Sequence, residues 1–179
     1  ILHALTDDTV IKHSFNASFE RVCLSVWLRR NHPDVFRSYS IPEDSVGGYL
    51  DPSSWHCSMV ASAYLGLPLT LAGVGAALKL EEQKMTEGKA LIRYFSIPYD
   101  TQNGKPLFHS PGDAPDKWAV FKAYNKRDVE TEMGIEAKIS RFPVPDFVWE
   151  EYHLDQEIND RGIQLDLSLV QNAIRIGDT

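Results

Sequence analysis

Tyr124 and Asp128 stand four residues apart in Tyr124-Asn-Lys-Arg-Asp128, and on a helix positions i and i+4 share a face. A neutral phenol of high pKa can orient a water, and a carboxylate one turn away can hold a metal beside it. Far upstream, His13-Ser-Phe-Asn16-Ala-Ser-Phe19-Glu20 repeats the spacing, so Asn16 and Glu20 are expected one above the other on a second helix. Two-metal phosphoryl chemistry needs several carboxylates converging on cations about 3.5–4 Å apart. Glu20 and Asp128 could supply two of them, which makes half of a two-metal nuclease site. Judged singly, a Glu or Asp on an amphipathic helix is usually a solvated surface residue, and short motif matches carry false positives. Their order along the chain is what raises the functional reading.

The elements that must position these residues follow from periodicity. Thr9-Val-Ile-Lys12 reads as a short strand after the turn-like Thr6-Asp7-Asp8. Phe19, Val22, Cys23, Val26 and Trp27 then recur at helical spacing, and this helix should end before Asn31-His-Pro33, because proline disfavours helix in the residue before it. Residues 34 to 54 hold Pro42, Gly47, Gly48 and Pro52 and read as a connecting region. Met59, Val60, Ala63 and Tyr64 predict a helix stopped by Gly66 and Pro68; Leu71, Val74, Gly75 and Leu78 predict the next. From Glu81 to Asp116 the expectation is a long exposed loop, ordered as helix only over Ala90-Leu-Ile-Arg-Tyr-Phe95. A long helix from about Lys117 to Ser140 carries Trp118, Phe121, Tyr124, Val129, Met133 and Ala137 on a slowly drifting face. Phe142-Pro-Val-Pro145 breaks the chain. Beyond it come a helix from Phe147 to Asp160 ended by Gly162, a short strand at Ile163-Gln-Leu-Asp166, and a last helix capped by Asp166.

A chain of 179 residues with 43% hydrophobic and 24% charged residues can bury a core. A net charge of -7 argues against non-specific coating of nucleic acid, which relies on many Lys and Arg contacts to phosphate. It leaves room for an acidic site that holds cations. Cys23 and Cys57 are too few for a disulfide framework or a zinc site, and both read as buried small hydrophobes in a reducing cytoplasm. No apolar run approaches the roughly 20 residues needed to span a membrane. Ile1 is no natural start, so a truncated piece is expected. Lys79, Lys84, Lys89, Arg93 and Lys105 form a relatively basic stretch that reads equally as a phosphate contact or a solvated loop. Tyr94 and Phe95 read as core more often than as base platforms, and His13 and His56 have no partner at ligand spacing.

His13 to Glu20 and Tyr124 to Asp128 together resemble the second and third motifs of the DnaQ-like 3′–5′ exonucleases, in the form found in the proofreading region of bacteriophage family A DNA polymerases. His13 to Glu20 is similar to the second motif, where Asn precedes the acidic residue by four. Tyr124-Asn-Lys-Arg-Asp128-Val-Glu is similar to the Tyr-x-x-x-Asp form of the third. Ala63-Tyr-Leu-Gly66-Leu-Pro68, Gly88-Lys-Ala-Leu-Ile-Arg93-Tyr-Phe-Ser96 and Trp118 resemble the connecting text. Asp155-Gln-Glu-Ile-Asn159-Asp-Arg-Gly162-Ile-Gln-Leu-Asp166 resembles the passage into the polymerase region.

Nothing between Ile1 and Asn16 supplies the family's first motif, Asp-x-Glu; Asp7 and Asp8 are adjacent and sit at a turn. Many relatives carry Asp where this chain has Glu20. The resemblance implies an α/β chain, an incomplete, helix-rich RNase H-like fold, with residues 1–143 a partial exonuclease domain and 144–179 the junction and start of the polymerase domain. It implies catalytic roles for Tyr124, Asp128 and Glu20, substrate binding by Asn16, and Mg²⁺ or Mn²⁺ at Asp128 and Glu20. Partners would be a single-stranded DNA 3′ end and the rest of the polymerase, with no membrane, in the cytoplasm of a bacterial host. An uncovered apolar surface would favour self-association. The alternatives are a non-catalytic exonuclease-like module that binds DNA or scaffolds the polymerase, and an unrelated helical interaction protein.

Overall fold

The computed structural model describes residues 1–39, 48–80 and 88–177. Pro42, Gly47 and Lys84, named above, lie outside the described residues. The described chain is mixed α/β and rich in helix, with two small two-stranded sheets. It divides into two compact units, one of residues 1–11, 18–55 and 146–179, the other of residues 12–17 and 56–145.

The first unit contains α1 (Leu2–Thr6), α2 (Ala17–Asn31, whose first residue falls in the other unit), a 3-10 turn (Pro52–Ser54), α7 (Asp146–Arg161) and α8 (Leu167–Gly177). The helix predicted around Phe19 to Trp27 forms, but its buried stripe is a different one. Ala17, Arg21, Ser25 and Leu28 are buried, whereas Phe19 and Trp27 are 63% and 44% exposed and Cys23 is exposed too. The reason is Arg21. Its guanidinium donates to both carboxylate oxygens of Asp160 on α7 at 2.8 and 2.7 Å and to the Leu50 carbonyl at 2.9 Å. Ser25 adds a second tie, its Oγ accepting from the Leu50 backbone N–H at 2.9 Å. A buried charge must be paired and hydrogen-bonded, and this one turns the polar stripe of α2 inward. His153 on α7 lies 3.0 Å from the Trp55 carbonyl through its Nε2, so α7 is also fixed to the segment after the 3-10 turn.

Gly162, with φ of 70°, ends α7 as expected. The strand expected at residues 163–166 does not form. Ile163 and Leu165 are 83% and 66% exposed, and among the described residues no neighbouring strand offers them a ladder. Asp166 caps α8 as predicted, its Oδ1 accepting from the N–H groups of Ser168 and Leu169 at 3.0 Å each and from the Ser168 hydroxyl at 2.6 Å.

The second unit holds β1 (Lys12–Ser14), which pairs with β2 (Trp55–Cys57), followed by α3 (Ser58–Tyr64), α4 (Leu71–Ala77), α5 (Gly88–Ser96), the hairpin of β3 (Asp100–Gln102) and β4 (Lys105–Leu107), and α6 (Pro115–Ile139). The strand expected at Thr9 to Lys12 therefore begins later and has a neighbour. Asp7 shapes residues 7–10 into a turn instead, its Oδ1 accepting from the Thr9 N–H at 2.9 Å and the Thr9 hydroxyl at 2.6 Å. Helix α6 is the spine against which α3, α4 and α5 pack. Its buried residues are Tyr124, Thr131, Ile135 and Ile139, while Val129 and Met133, expected on the apolar face, are 50% and 67% exposed.

Small residues decide that choice of face. On α3 the buried positions are Ser58, Ala61 and Ser62, with Tyr64 outside, and the Ser58 hydroxyl donates to Glu132 at 2.9 Å. On α4, Leu71, Val74 and Gly75 are buried as predicted. A Cβ at Gly75 would make only ordinary van der Waals contact with Thr131 Cγ2, at 3.5 Å, so the space between the two helices would admit an alanine there. The segment expected as loop around residues 100–107 is a hairpin. Asn103 and Gly104 have φ of 53° and 74°, the left-handed pair that a two-residue turn requires.

Candidate functional site

Tyr124 and Asp128 lie one turn apart on α6, in the second unit. Tyr124 is 5% exposed. Its ring is parallel to that of Phe121 with centroids 6.2 Å apart, and it passes directly under Gly88 at the start of α5, where any Cβ would overlap the ring. Only glycine leaves room for a tyrosine there. Asp128 is half-buried with its Oδ1 sealed from solvent. Glu132 and Glu136 follow at successive turns. Glu132 accepts from Ser58 and Glu136 lies 3.8 Å from His13 Nδ1, so the two later carboxylates serve the packing of α6 against β1 and α3. On the flank of the helix, Arg127 and Lys126 each lie 3.6 Å from Glu130, exposed pairs of small energetic weight.

Asn16 is not on a helix. It is exposed in the turn between β1 and α2 with φ of 73°, a left-handed conformation that asparagine tolerates better than most residues. The expected stacking of Asn16 above Glu20 on one helical face is therefore replaced by a turn residue that launches α2. Glu20 is in the first turn of α2, in the first unit, half-buried with its Oε2 sealed from solvent. Its neighbour Arg21 is the buried anchor of that helix, so the clamp on Asp160 also fixes where Glu20 begins. Sequence reading passed over Arg21 and Asp160. The visible signal was a cation on the same helical face as Ala17, Ser25 and Leu28, matched by acids in the later Asp155 to Asp160 segment.

Hard oxygen donors such as Asp128 and Glu20 are those that Mg²⁺ and Mn²⁺ take. Among the described residues, however, no group of three or more His, Cys, Asp and Glu side chains is placed to hold a metal ion. Nor, among the described residues, is any helix long and apolar enough to cross a membrane.

The arrangement is that of a helix-rich α/β chain with a tyrosine and a carboxylate held on one face of its longest helix. Over 176 residues, 97% of its length, the chain is 42% identical to the DNA polymerase of Bacillus phage SP02. It spans about a quarter of that protein, 24% of its length. No family model matches the chain, and no solved structure matches it.

Proposed function

We propose that the chain is the proofreading part of a phage DNA polymerase of family A: most of a DnaQ-like 3′–5′ exonuclease domain of RNase H-like fold over residues 1–143, with residues 144–179 leading into the polymerase domain. The reaction is hydrolysis of the 3′-terminal phosphodiester of single-stranded DNA in the cytoplasm of a bacterial host, releasing a nucleoside 5′-monophosphate. The observation that carries the reading is the Tyr124 and Asp128 pair, held under Gly88 on α6 with one Asp128 oxygen buried, in a chain so similar to part of a phage polymerase.

Tyr124 positions the attacking water through its hydroxyl, and its confinement between Phe121 and Gly88 fixes the ring's place without cost at the moment of reaction. Asp128 and Glu20 provide carboxylate oxygens for Mg²⁺ or Mn²⁺ in a site completed by acidic residues from the remainder of the polymerase; the cations would lower the pKa of water and neutralise developing charge. Asn16 contacts the substrate from the turn before α2. The isolated 179-residue chain is inactive on this reading.

A second reading, a non-catalytic module that binds DNA or scaffolds the polymerase, gains from the lack of an Asp-x-Glu between Ile1 and Asn16. One experiment separates the two. End-labelled single-stranded DNA is incubated with Mg²⁺ and the complete polymerase or its Asp128→Ala variant. Degradation from the 3′ end that is lost in the variant is expected; equal degradation by both, or none by either, moves the assignment to the non-catalytic module.

A further inference from the structure

Before α6 the chain builds a column of flat groups that the Tyr124 and Asp128 chemistry does not use. The His109 ring is stacked on Tyr94 at 4.1 Å with an interplanar angle of 2°, and on Tyr99 at 4.4 Å and 19°. Two rings parallel to a third at such distances must take its opposite faces, so His109 is held between the tyrosines. The Lys117 ammonium sits 3.7 Å from the centroid of the Tyr94 ring, a cation–π contact that closes that end. The other end is open, with Tyr99 58% exposed. Arg93, Tyr94, Ile97, Tyr99 and His109 line a shallow, open depression of about 390 Å³ beside the column.

The surroundings favour an anionic, flat-ringed occupant. Residues 88–122 carry five cations, Lys89, Arg93, Lys105, Lys117 and Lys122, against three carboxylates, Asp100, Asp113 and Asp116, a net of +2 in a chain whose total is -7. Arg93 is exposed at the wall of the depression, where a guanidinium can take a phosphate bidentately. Exposed aromatic faces next to such cations are how sequence-tolerant proteins grip single strands. Along α6, Lys117 precedes Tyr124 by about 10 Å and Asp128 by about 16 Å of helix, and the rings of Phe95 and Phe121 lie between the column and Tyr124.

The geometry points to a second, non-catalytic binding site for single-stranded DNA, in which a base stacks on the outer face of Tyr99 and the adjoining phosphate meets Arg93. The choice of DNA as the strand rests on the proposed function; the stacking site rests on the column and its charge. The site holds a nucleotide away from the scissile bond and reads no sequence.

Its test uses the 179-residue chain with fluorescein-labelled dT12 in EDTA, where no hydrolysis interferes, with binding followed by anisotropy. Tyr99→Ala is expected to weaken binding about tenfold or more, the scale of one base–aromatic stack, and Tyr99→Phe to bind as the parent does. Arg93→Ala should weaken binding and reduce its salt dependence. A bromodeoxyuridine strand irradiated on the chain should cross-link within residues 93–109. No binding of dT12, or binding by a folded Tyr99→Ala chain equal to that of the parent, overturns the site. Neither result touches the proofreading assignment, which fails on a different observation, retention of 3′–5′ degradation by the Asp128→Ala polymerase.

Discussion

At the scale of single residues, three positions are set by constraints that composition alone does not reveal. Gly88 lies against the Tyr124 ring, so Gly88→Ala must push the tyrosine away or pull α5 off α6. On the proposed exonuclease function this variant is expected to lose 3′–5′ degradation by up to about 10²-fold, the penalty for misplacing a positioning group, with Tyr124→Phe lowered in the same direction. Asn16, at φ of 73°, is better replaced by glycine than by alanine. Asn16→Ala should lower stability by about 1 kcal/mol and Asn16→Gly by less, which urea denaturation of the chain would resolve. Arg21 and Asp160 form a pair whose side chains are 1% and 4% exposed. Truncating Asp160 to Ala leaves the cation buried alone, at a cost of about 3–5 kcal/mol; a midpoint unchanged in urea would refute that role.

At the scale of elements, the helix ends carry the pH dependence. Asp166 has its carboxyl held below its ordinary value, chiefly by the Ser168 hydroxyl and then by the Leu169 N–H. A depressed folded value means that the cap's contribution is complete above the unfolded carboxylate value and is lost as pH falls through the folded one. Helix α8 is therefore expected to fray on acidification below the ordinary carboxylate range, an effect absent in Asp166→Ala and visible in the Ser168 and Leu169 amide signals by NMR. Helix existence was legible for α2, α3, α4, α5, α6, α7 and α8, because apolar residues at spacings of three and four mark a helix whichever face is buried. The faces were not. On α2 and α6 the buried stripes run through the polar residues Arg21, Ser25 and Thr131; Arg21 and Ser25 meet Asp160 and Leu50 far along the chain, and the Thr131 hydroxyl donates to the Arg127 carbonyl one turn back. The hairpin reads as loop, because its strands alternate little and are almost wholly exposed, although Asn103-Gly104 between Gln102 and Lys105 is a two-residue turn signal.

At the scale of the whole molecule, much apolar surface stays in contact with water. On α8, Leu167, Leu169, Ile174 and Ile176 are 67%, 66%, 59% and 76% exposed, and no residue of that helix is buried. Contiguous apolar surface of this kind drives association, so the chain on its own should self-associate, with Leu169→Glu and Ile176→Glu together shifting its light-scattering mass towards that of one chain. An unchanged mass distribution in the double variant would remove α8 from the contact.

The amino-acid sequence by itself determined the helical content, the caps at Asp166 and Gly162, and the spacing that sets Tyr124 above Asp128, because each depends on residues within one or two turns of one another. It also contained the likeness to a polymerase, spread over nearly all of its length. Only the tertiary structure decided that Arg21 faces inward, that Cys23 does not, that Tyr124 has room only because position 88 is glycine, and that Tyr94, His109 and Tyr99 stack. Those outcomes depend on which groups meet across long stretches of chain, as Arg21 meets Asp160. A buried charge or a parallel ring is stable only when its partner arrives, and local periodicity holds no record of the partner.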